Sequence, residues 1–290
     1  MGTRSKMKRR DLLRNLGALA ASGVLANAGR PGEVRAATPH PTAGPSRPRV
    51  LAYIGDRYHN PDYIHVALSR LFRELDLPVD YTINFEEINA ARLQNYRLFV
   101  NFGCPLSWPS GYLGPDAYPY ANLLENSEDR SQPKMEGAIT EEQGQAIRDF
   151  VQAGHGLYAY HQCGYTSVYS KNYREVMGAV TLGHPPLRPF KVKVVNHAHP
   201  ITQGVQDFMV NDEQHYLTYD KDPKYLLLQS ENIDGLSHGK LGTTAVSGYA
   251  YDYGKGRVAY TAVGHTIHAL WQPEYLKIQK NAVRWLLRIP

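Results

Sequence analysis

The short run Gly156-Leu-Tyr-Ala-Tyr160 constrains the fold more than any other part of the sequence, because none of its residues is charged or strongly polar. A strand that is apolar on both faces belongs in the middle of a parallel sheet that is covered by helices on both sides. A helix is indicated just before the run, since Thr140 and Gln143 form a capping-box pattern and Gly154 is placed to end it. This order of helix and buried strand predicts an α/β protein.

The same alternation of patterns recurs along most of the chain. Further strands are predicted at residues 49–55, 79–83, 97–102, 190–195, 225–229, 243–250 and 257–262, and further helices at residues 62–75, 173–177 and 274–287. Strands that alternate with helices form a mostly parallel sheet between two helical layers. Gly254 and Gly256 fit a hairpin turn and not a dinucleotide fingerprint, so we expect no nucleotide or flavin cofactor.

The first residues have the composition of an export signal. Residues 1–37 contain a basic start with the pair Arg9-Arg10, a small-residue apolar run and the cleavage pattern Ala26-Asn27-Ala28. They predict export by the twin-arginine route to the periplasm or the medium. The apolar run is shorter than a membrane span, so we expect no transmembrane segment after processing. Residues 38–48 are predicted to be a Pro-rich linker, and residues 49–290 a single domain.

The positive charge of the chain belongs mostly to this first segment. Eight of the 32 Lys and Arg residues and two of the 27 Asp and Glu residues lie within residues 1–37, so the remainder is nearly neutral. No basic stripe is left that would favour binding to nucleic acid. The two cysteines, Cys104 and Cys163, are compatible with one disulfide or with two free thiols.

Several histidines follow predicted strands. His59, His161 and His265 occupy such positions, and the ligand crevice of an open α/β sheet lies at the carboxyl ends of its strands. Together with Glu213 they would make a mixed nitrogen and oxygen site for Zn²⁺ or a similar divalent ion, with a position left for water or substrate. The same residues can also act directly as acid and base, or be core histidines and a paired carboxylate without a functional role.

Six short stretches occur in an order that resembles the ThuA-like (trehalose utilisation) family over residues 49–288. They are Tyr58-His59-Asn60, His161-Gln162, Gly183-His184-Pro185-Pro186, His199-Pro200-Ile201-Thr202, Asp212-Glu213 and the run from Gly254 to Thr266. The resemblance implies a three-layer, flavodoxin-like fold of the class I glutamine amidotransferase-like type. In the amidotransferase relatives a cysteine occupies the turn after the central strand; in ThuA-like proteins a histidine does, which here is His161. The chain departs from the family pattern at Tyr58 and at Gln162-Cys163.

The resemblance also implies a role in sugar metabolism. We expect a metal-assisted lyase, hydrolase or isomerase that acts on a keto-sugar or keto-glycoside of the 3-keto-disaccharide type, supplied by a partner sugar oxidoreductase. A non-catalytic sugar-binding protein of the same fold is the main alternative. A hydrolase that depends on Cys163 is a further one, although a reactive thiolate needs an adjacent cation or base.

The expected site residues fall into three groups. The candidates for catalysis are His161, Glu213, Asp212 and His265. The candidates for metal binding are His161, His265, His59 and Glu213. The candidates for substrate binding are His59, Tyr58, Trp108, Tyr112 and His184, whereas His199 is expected to shape a turn.

Overall fold

Nine strands form the main sheet of the computed structural model, which describes residues 48–56, 58–105, 139–235 and 238–290. In chain order the strands are β1 (Val50–Ile54), β2 (Val79–Thr82), β3 (Leu98–Phe102), β4 (Gly156–Tyr160), β5 (Ala179–Gly183), β6 (Arg188–Val194), β7 (Phe208–Asp212), β8 (Tyr216–Tyr219), β9 (Leu226–Asn232), β10 (Thr244–Tyr253) and β11 (Gly256–Thr261). Strands β5 and β8 pair separately, and the main sheet has the order β2-β1-β3-β4-β11-β10-β9-β6-β7. The helices are α1 (Pro61–Glu74), α2 (Ala90–Leu93), α3 (Glu141–Gln152), α4 (Lys171–Met177), α5 (Ile267–Leu270) and α6 (Pro273–Leu287).

The main sheet has a parallel half and an antiparallel half. Neighbours from β2 to β11 pair in parallel, and those from β11 to β7 pair antiparallel. Two successive antiparallel pairings restore the original direction, so β9 and β7 run the same way as β11. Most strands therefore point in one direction, as predicted, and the carboxyl ends of β1, β4, β7 and β11 lie at the same edge of the sheet.

Strand β4 lies between two separate hydrophobic cores. Tyr158 and Tyr160 belong to the core that contains residues of α1 and α6, whereas Leu157 and Ala159 belong to the core that contains residues of α3 and α4. Because successive side chains of a strand point to opposite faces, a strand that is covered on both sides must be apolar throughout. The three-layer α/β fold expected from the sequence is confirmed.

Most of the predicted elements are present, with bounds that differ by a few residues. The capping box of α3 forms, since Thr140 Oγ1 accepts from Gln143 N and the Gln143 side chain accepts from Thr140 N. The β10–β11 hairpin turns at Gly254, whose φ is 58°. The sequence analysis did not predict β5, β7 or β8. Within the described ranges no helix is long and apolar enough to cross a membrane.

Candidate metal centre

The turn after β4 holds His161 in an unusual backbone conformation. His161 has a φ of 46°, in the left-handed region that side chains other than glycine rarely adopt. The phenol of Tyr260 donates to the His161 carbonyl at 2.8 Å. Gly264 packs against the same residue so closely that an added Cβ would lie 2.7 Å from His161 Cβ. The sheet therefore fixes the position of this turn from the neighbouring strand β11.

The ring of His161 is buried, with one nitrogen bonded and the other turned toward Glu213. Nδ1 lies 2.6 Å from the carbonyl oxygen of Ala262, which can only accept, so Nδ1 carries the proton. Nε2 is the nitrogen that is left to face the site. It lies 3.3 Å from Glu213 Oε2 but makes no well-directed hydrogen bond with any described residue. A proton or a cation between these two atoms would stabilise them at this separation.

His59 is oriented in a similar way by a carboxylate. Its Nδ1 lies 2.8 Å from Asp56 Oδ1. Burial alone would raise the pKa of Asp56, but its bonds with His59 and Gln162 hold that pKa below its ordinary value. Burial lowers the pKa of the His59 ring, which favours the neutral form. The Nδ1 proton of His59 is thus directed to Asp56, and Nε2 faces His265 Nδ1 at 3.1 Å.

Glu213 lies among four imidazoles. Oε2 is 3.0 Å from His265 Nδ1, 3.3 Å from His161 Nε2 and 3.4 Å from His215 Nε2, while Oε1 is 3.6 Å from His184 Nδ1. Burial alone would raise the pKa of Glu213, but these histidines hold it well below its ordinary value. Glu213 in turn raises the pKa of His265 against the opposing effect of burial. The carboxylate is therefore ionised at neutral pH.

Asp212, a candidate for catalysis from the sequence, is bonded to backbone amides on two sides of the site. Its carboxylate is fully buried and accepts from the backbone amides of Glu213 and His265 at 2.9 Å and of Gly264 at 2.7 Å. Burial raises the pKa of this carboxyl group. The structure thus assigns Asp212 to positioning, because its oxygens join the end of β7 to the turn after β11.

The geometry of four donor atoms fits a small divalent ion. One ligand atom each from His59, His161, Glu213 and His265 lies within 4.8 Å of the other three. Three of the six separations between these donors are 3.0, 3.1 and 3.3 Å, close to the edge of a Zn²⁺ tetrahedron, which is about 3.3 Å for bonds of about 2.0–2.1 Å, and the other three are at most 4.8 Å. The Nδ1 atoms of His59 and His161 are bonded outward, as is usual for metal-ligating histidines.

The remaining predicted residues lie in varied surroundings. Tyr58 is exposed beside His59. His184 is partly buried, lies next to Glu213 and stacks on His215 with ring centroids 4.8 Å apart. His199 caps the turn at Pro200–Thr202, as expected, through a bond from Ile201 N. Trp108 and Tyr112 lie outside the described residues.

Both cysteines are free and buried, which answers the question left open by the sequence. Burial raises the pKa of the Cys163 thiol to about 12 and that of Cys104 well above its ordinary value. A reactive thiolate needs a lowered pKa, so the raised pKa and the burial of Cys163 argue against the alternative in which it is the nucleophile.

Three residues near the site were not nominated from the sequence: Asp56, Gln162 and His215. Asp56 comes two residues after the end of β1, and Gln162 follows His161. His215 comes two residues after Glu213, but the antiparallel part of the sheet gave no signal that this segment reaches the same edge. A residue can be nominated from sequence because it follows a predicted strand. Strand β7 was not predicted, so this signal could not identify His215.

Fold and site together define a histidine-rich α/β protein of the class I glutamine amidotransferase-like type. The family model for ThuA, described as trehalose utilisation, matches residues 49–286, and the chain belongs to this family. No curated protein matches the chain in sequence.

Solved structures share the fold at low sequence identity. A ThuA-like protein from Parabacteroides merdae superposes with a TM-score of 0.59 at 15% identity, over 83% of this chain and 90% of that one. A ThuA-like protein from Bacteroides uniformis gives 0.55 at 14% identity, over 85% and 95%. A β-galactosidase from Rahnella sp. R3 gives 0.51 at 14% identity, over 84% of this chain and 32% of the enzyme. These likenesses concern the fold alone.

Proposed function

We propose that this chain is a carbohydrate-active enzyme that binds a divalent metal ion and acts on a keto-sugar or keto-glycoside, as a lyase, hydrolase or isomerase. The observation that carries the proposal is the convergence of His59 Nε2, His161 Nε2, His265 Nδ1 and Glu213 Oε2, with the other nitrogens of His59 and His161 bonded outward. Membership of the trehalose utilisation family supports the sugar as the class of substrate.

The chemistry follows from the acidity of a carbon next to a carbonyl group. A bound divalent ion would polarise the carbonyl oxygen of the substrate and so make that C–H bond more acidic. His59, His161, His265 and Glu213 would hold the ion, and the protein must supply a group that accepts the proton. Proton removal is common to elimination and isomerisation, so either outcome begins with the same residues.

His184 is the best-placed proton acceptor. Its Nδ1 lies 3.0 Å from the carbonyl oxygen of Pro185 and therefore carries the ring proton, which leaves a lone pair on Nε2. The side chain is 29% exposed, against 0% for His161 and 11% for Glu213. Among the proposed metal ligands only His265, at 27%, is similarly exposed, so a substrate that enters from solvent meets His184 and His265 first.

The enzyme would work together with a sugar oxidoreductase that forms the keto-sugar. A keto-sugar already carries its carbonyl group when it arrives, so the proposed chemistry at this site begins with proton removal.

The first experiment measures the zinc content of the folded, untagged protein and its turnover of a 3-keto-disaccharide. We expect close to one ion per chain and turnover in the wild type, and loss of both in His161→Ala. His184→Ala should keep the ion and lose roughly 10²–10⁴-fold in rate, the usual contribution of a general base. His65→Ala, which removes an exposed imidazole of α1, is the matched control. A metal-free wild type that binds sugars without turnover would favour the non-catalytic alternative.

A further inference from the structure

Asp56 joins the ends of three neighbouring strands. Its Oδ1 accepts from Tyr58 N at 2.8 Å, His59 N at 3.1 Å and His59 Nδ1 at 2.8 Å. Its Oδ2 accepts from Cys104 N at 3.0 Å and from Gln162 Nε2 at 2.7 Å. The carboxylate therefore links the loop after β1, the end of β3 and the turn after β4 that presents His161.

The side chain of Gln162 bonds through one polar atom and leaves the other buried without a partner. The residue is 2% exposed, and while its Nε2 donates to Asp56, its Oε1 is buried and has no hydrogen-bond partner among the described residues. A buried carbonyl oxygen without a partner destabilises a protein, and an apolar side chain of the same size would avoid that loss. What the amide adds at this position is a donor aimed at the second oxygen of Asp56.

We infer that Asp56 and Gln162 are positioning residues that set the affinity of the histidine cluster for metal. Asp56 fixes the tautomer and the ring orientation of His59, so that Nε2 faces His161, His265 and Glu213. Gln162 holds Asp56 from the opposite side and ties it to the turn that carries His161. The inference rests on the proposed metal binding for its effect on affinity, but the effect on the His59 tautomer stands without it.

Two measurements separate the effect on metal affinity from the effect on the His59 tautomer. Zinc affinity is measured by competition with a chromogenic chelator, and the side-chain tautomer of His59 is read from long-range ¹H–¹⁵N NMR spectra of the metal-free protein. In the wild type we expect His59 to carry its proton on Nδ1. Asp56→Asn should give a mixture of tautomers and a loss of roughly 10–100-fold in zinc affinity, as is usual when an outer partner of a ligating histidine is removed.

Gln162→Met removes the unpartnered oxygen together with the donor to Asp56, whose Oδ2 keeps Cys104 N as a partner, so the gain and the loss offset each other and the variant should fold. We expect it to weaken zinc binding in the same direction as Asp56→Asn, by a smaller factor. The matched controls are Gln279→Met, which removes a buried amide bonded to the Leu270 carbonyl, and Asp207→Asn, which removes a carboxylate oxygen that accepts from Val194 N. Both controls should leave zinc affinity and the His59 tautomer unchanged.

The outcomes separate the positioning role of Asp56 and Gln162 from the proposed metal site. Unchanged zinc affinity in Asp56→Asn and in Gln162→Met would overturn the positioning role while leaving the proposed metal site intact. A wild type that binds no zinc would overturn the metal site and the affinity claim together. In that case an unaltered His59 tautomer in Asp56→Asn would also remove the orienting role of Asp56.

Discussion

At the scale of single residues, the candidate site depends on which nitrogen of each imidazole is already bonded. The Nδ1 atoms of His161 and His59 are bonded to the Ala262 carbonyl and to the Asp56 carboxylate. The Nε2 atom of His161 therefore faces Glu213, and that of His59 faces His265. The Nε2 atom of His215 also faces Glu213, but its buried Nδ1 has no partner among the described residues. The rings of His161 and His59 are thus held by a second bond, whereas that of His215 is not, although its ligand atom also lies within 4.8 Å of those of His184 and Glu213.

The left-handed backbone of His161 gives the first prediction. Both His161→Ala and His161→Gly remove the imidazole and should abolish zinc binding. Glycine accepts a φ of 46° without steric cost, whereas alanine does not, so the glycine variant should be the more stable of the two by about 1 kcal/mol. Urea denaturation of the metal-free proteins measures the difference. Equal stabilities would mean that the turn relaxes when the imidazole is lost.

Burial of the Cys163 thiol gives the second prediction. Cys163→Ala should lower the free energy of unfolding by about 1 kcal/mol through the small cavity that it leaves, and it should leave zinc content and turnover unchanged. Steady-state kinetics together with thermal unfolding measure both effects. Loss of turnover in a folded, zinc-loaded Cys163→Ala protein would restore the cysteine mechanism that the burial of the thiol argues against.

The close approach of Gly264 to His161 gives the third prediction. In Gly264→Ala the new methyl group would meet His161 Cβ at 2.7 Å and Phe102 Cζ at 2.9 Å, so the imidazole must move. We expect a loss of stability of about 1–3 kcal/mol, typical of overpacking, together with weaker zinc binding. Gly204→Ala is the control for a loss of stability away from the site: its φ of 71° adds backbone strain, nothing lies within 4 Å of the added atom, and zinc binding should not change. Unaltered zinc affinity in Gly264→Ala would show that this contact does not position His161.

At the scale of strands and helices, the site is built where strand ends meet. The donors follow β1, β4, β7 and β11, and these strands end at one edge because β7 runs in the same direction as the parallel half of the sheet. Asp212, the last residue of β7, accepts from the amides of Gly264 and His265 and so joins β7 to the turn after β11. This carboxylate sets the spacing between Glu213 and His265.

The link between β7 and β11 gives the fourth prediction. In Asp212→Asn one carboxylate oxygen becomes an NH₂ group, so a buried backbone amide loses its acceptor. The remaining oxygen can still accept from the amides of Glu213 and His265, whereas the amide of Gly264 loses its acceptor. We expect a loss of stability of about 1–3 kcal/mol and weaker zinc binding, because the turn that carries His265 is then held to β7 by one oxygen only. Thermal unfolding and chelator competition measure the two effects. Asp252→Asn, which alters an exposed carboxylate that accepts from Arg257, should change neither.

Prediction from sequence succeeded where a single strong pattern determined the structure. The apolar β4 and the capped α3 were identified because their patterns are local, and the histidines after strands were nominated because the ligand crevice of an α/β sheet has a known position. Strand β7 was missed because its sequence does not alternate in polarity although its burial does: Met209 occupies an exposed position and Asp212 a buried one. Asp56 and Gln162 were missed because their role depends on contacts between residues far apart in the chain.

At the scale of the whole molecule, we propose that residues 1–37 direct export, which would be consistent with a metal-loaded site. The twin-arginine route carries folded proteins and often those with a bound cofactor, so a metal acquired before export would remain in the site. The pair Arg9-Arg10 and the pattern Ala26-Asn27-Ala28 are the residues on which this proposal depends.

The export proposal gives the last prediction. Replacement of Arg9 and Arg10 by lysine keeps the positive charge but removes the twin arginines, so the protein should stay in the cytoplasm at its full length. Replacement of Lys6 and Lys8 by arginine is the control and should leave export unchanged. Cell fractionation locates both variants, and mass spectrometry of the exported protein identifies its first residue, which we expect to follow Ala28. Export of the Arg9 and Arg10 variant at the wild-type level would mean that the segment is read as a general secretory signal, and the metal would then have to be acquired outside the cytoplasm.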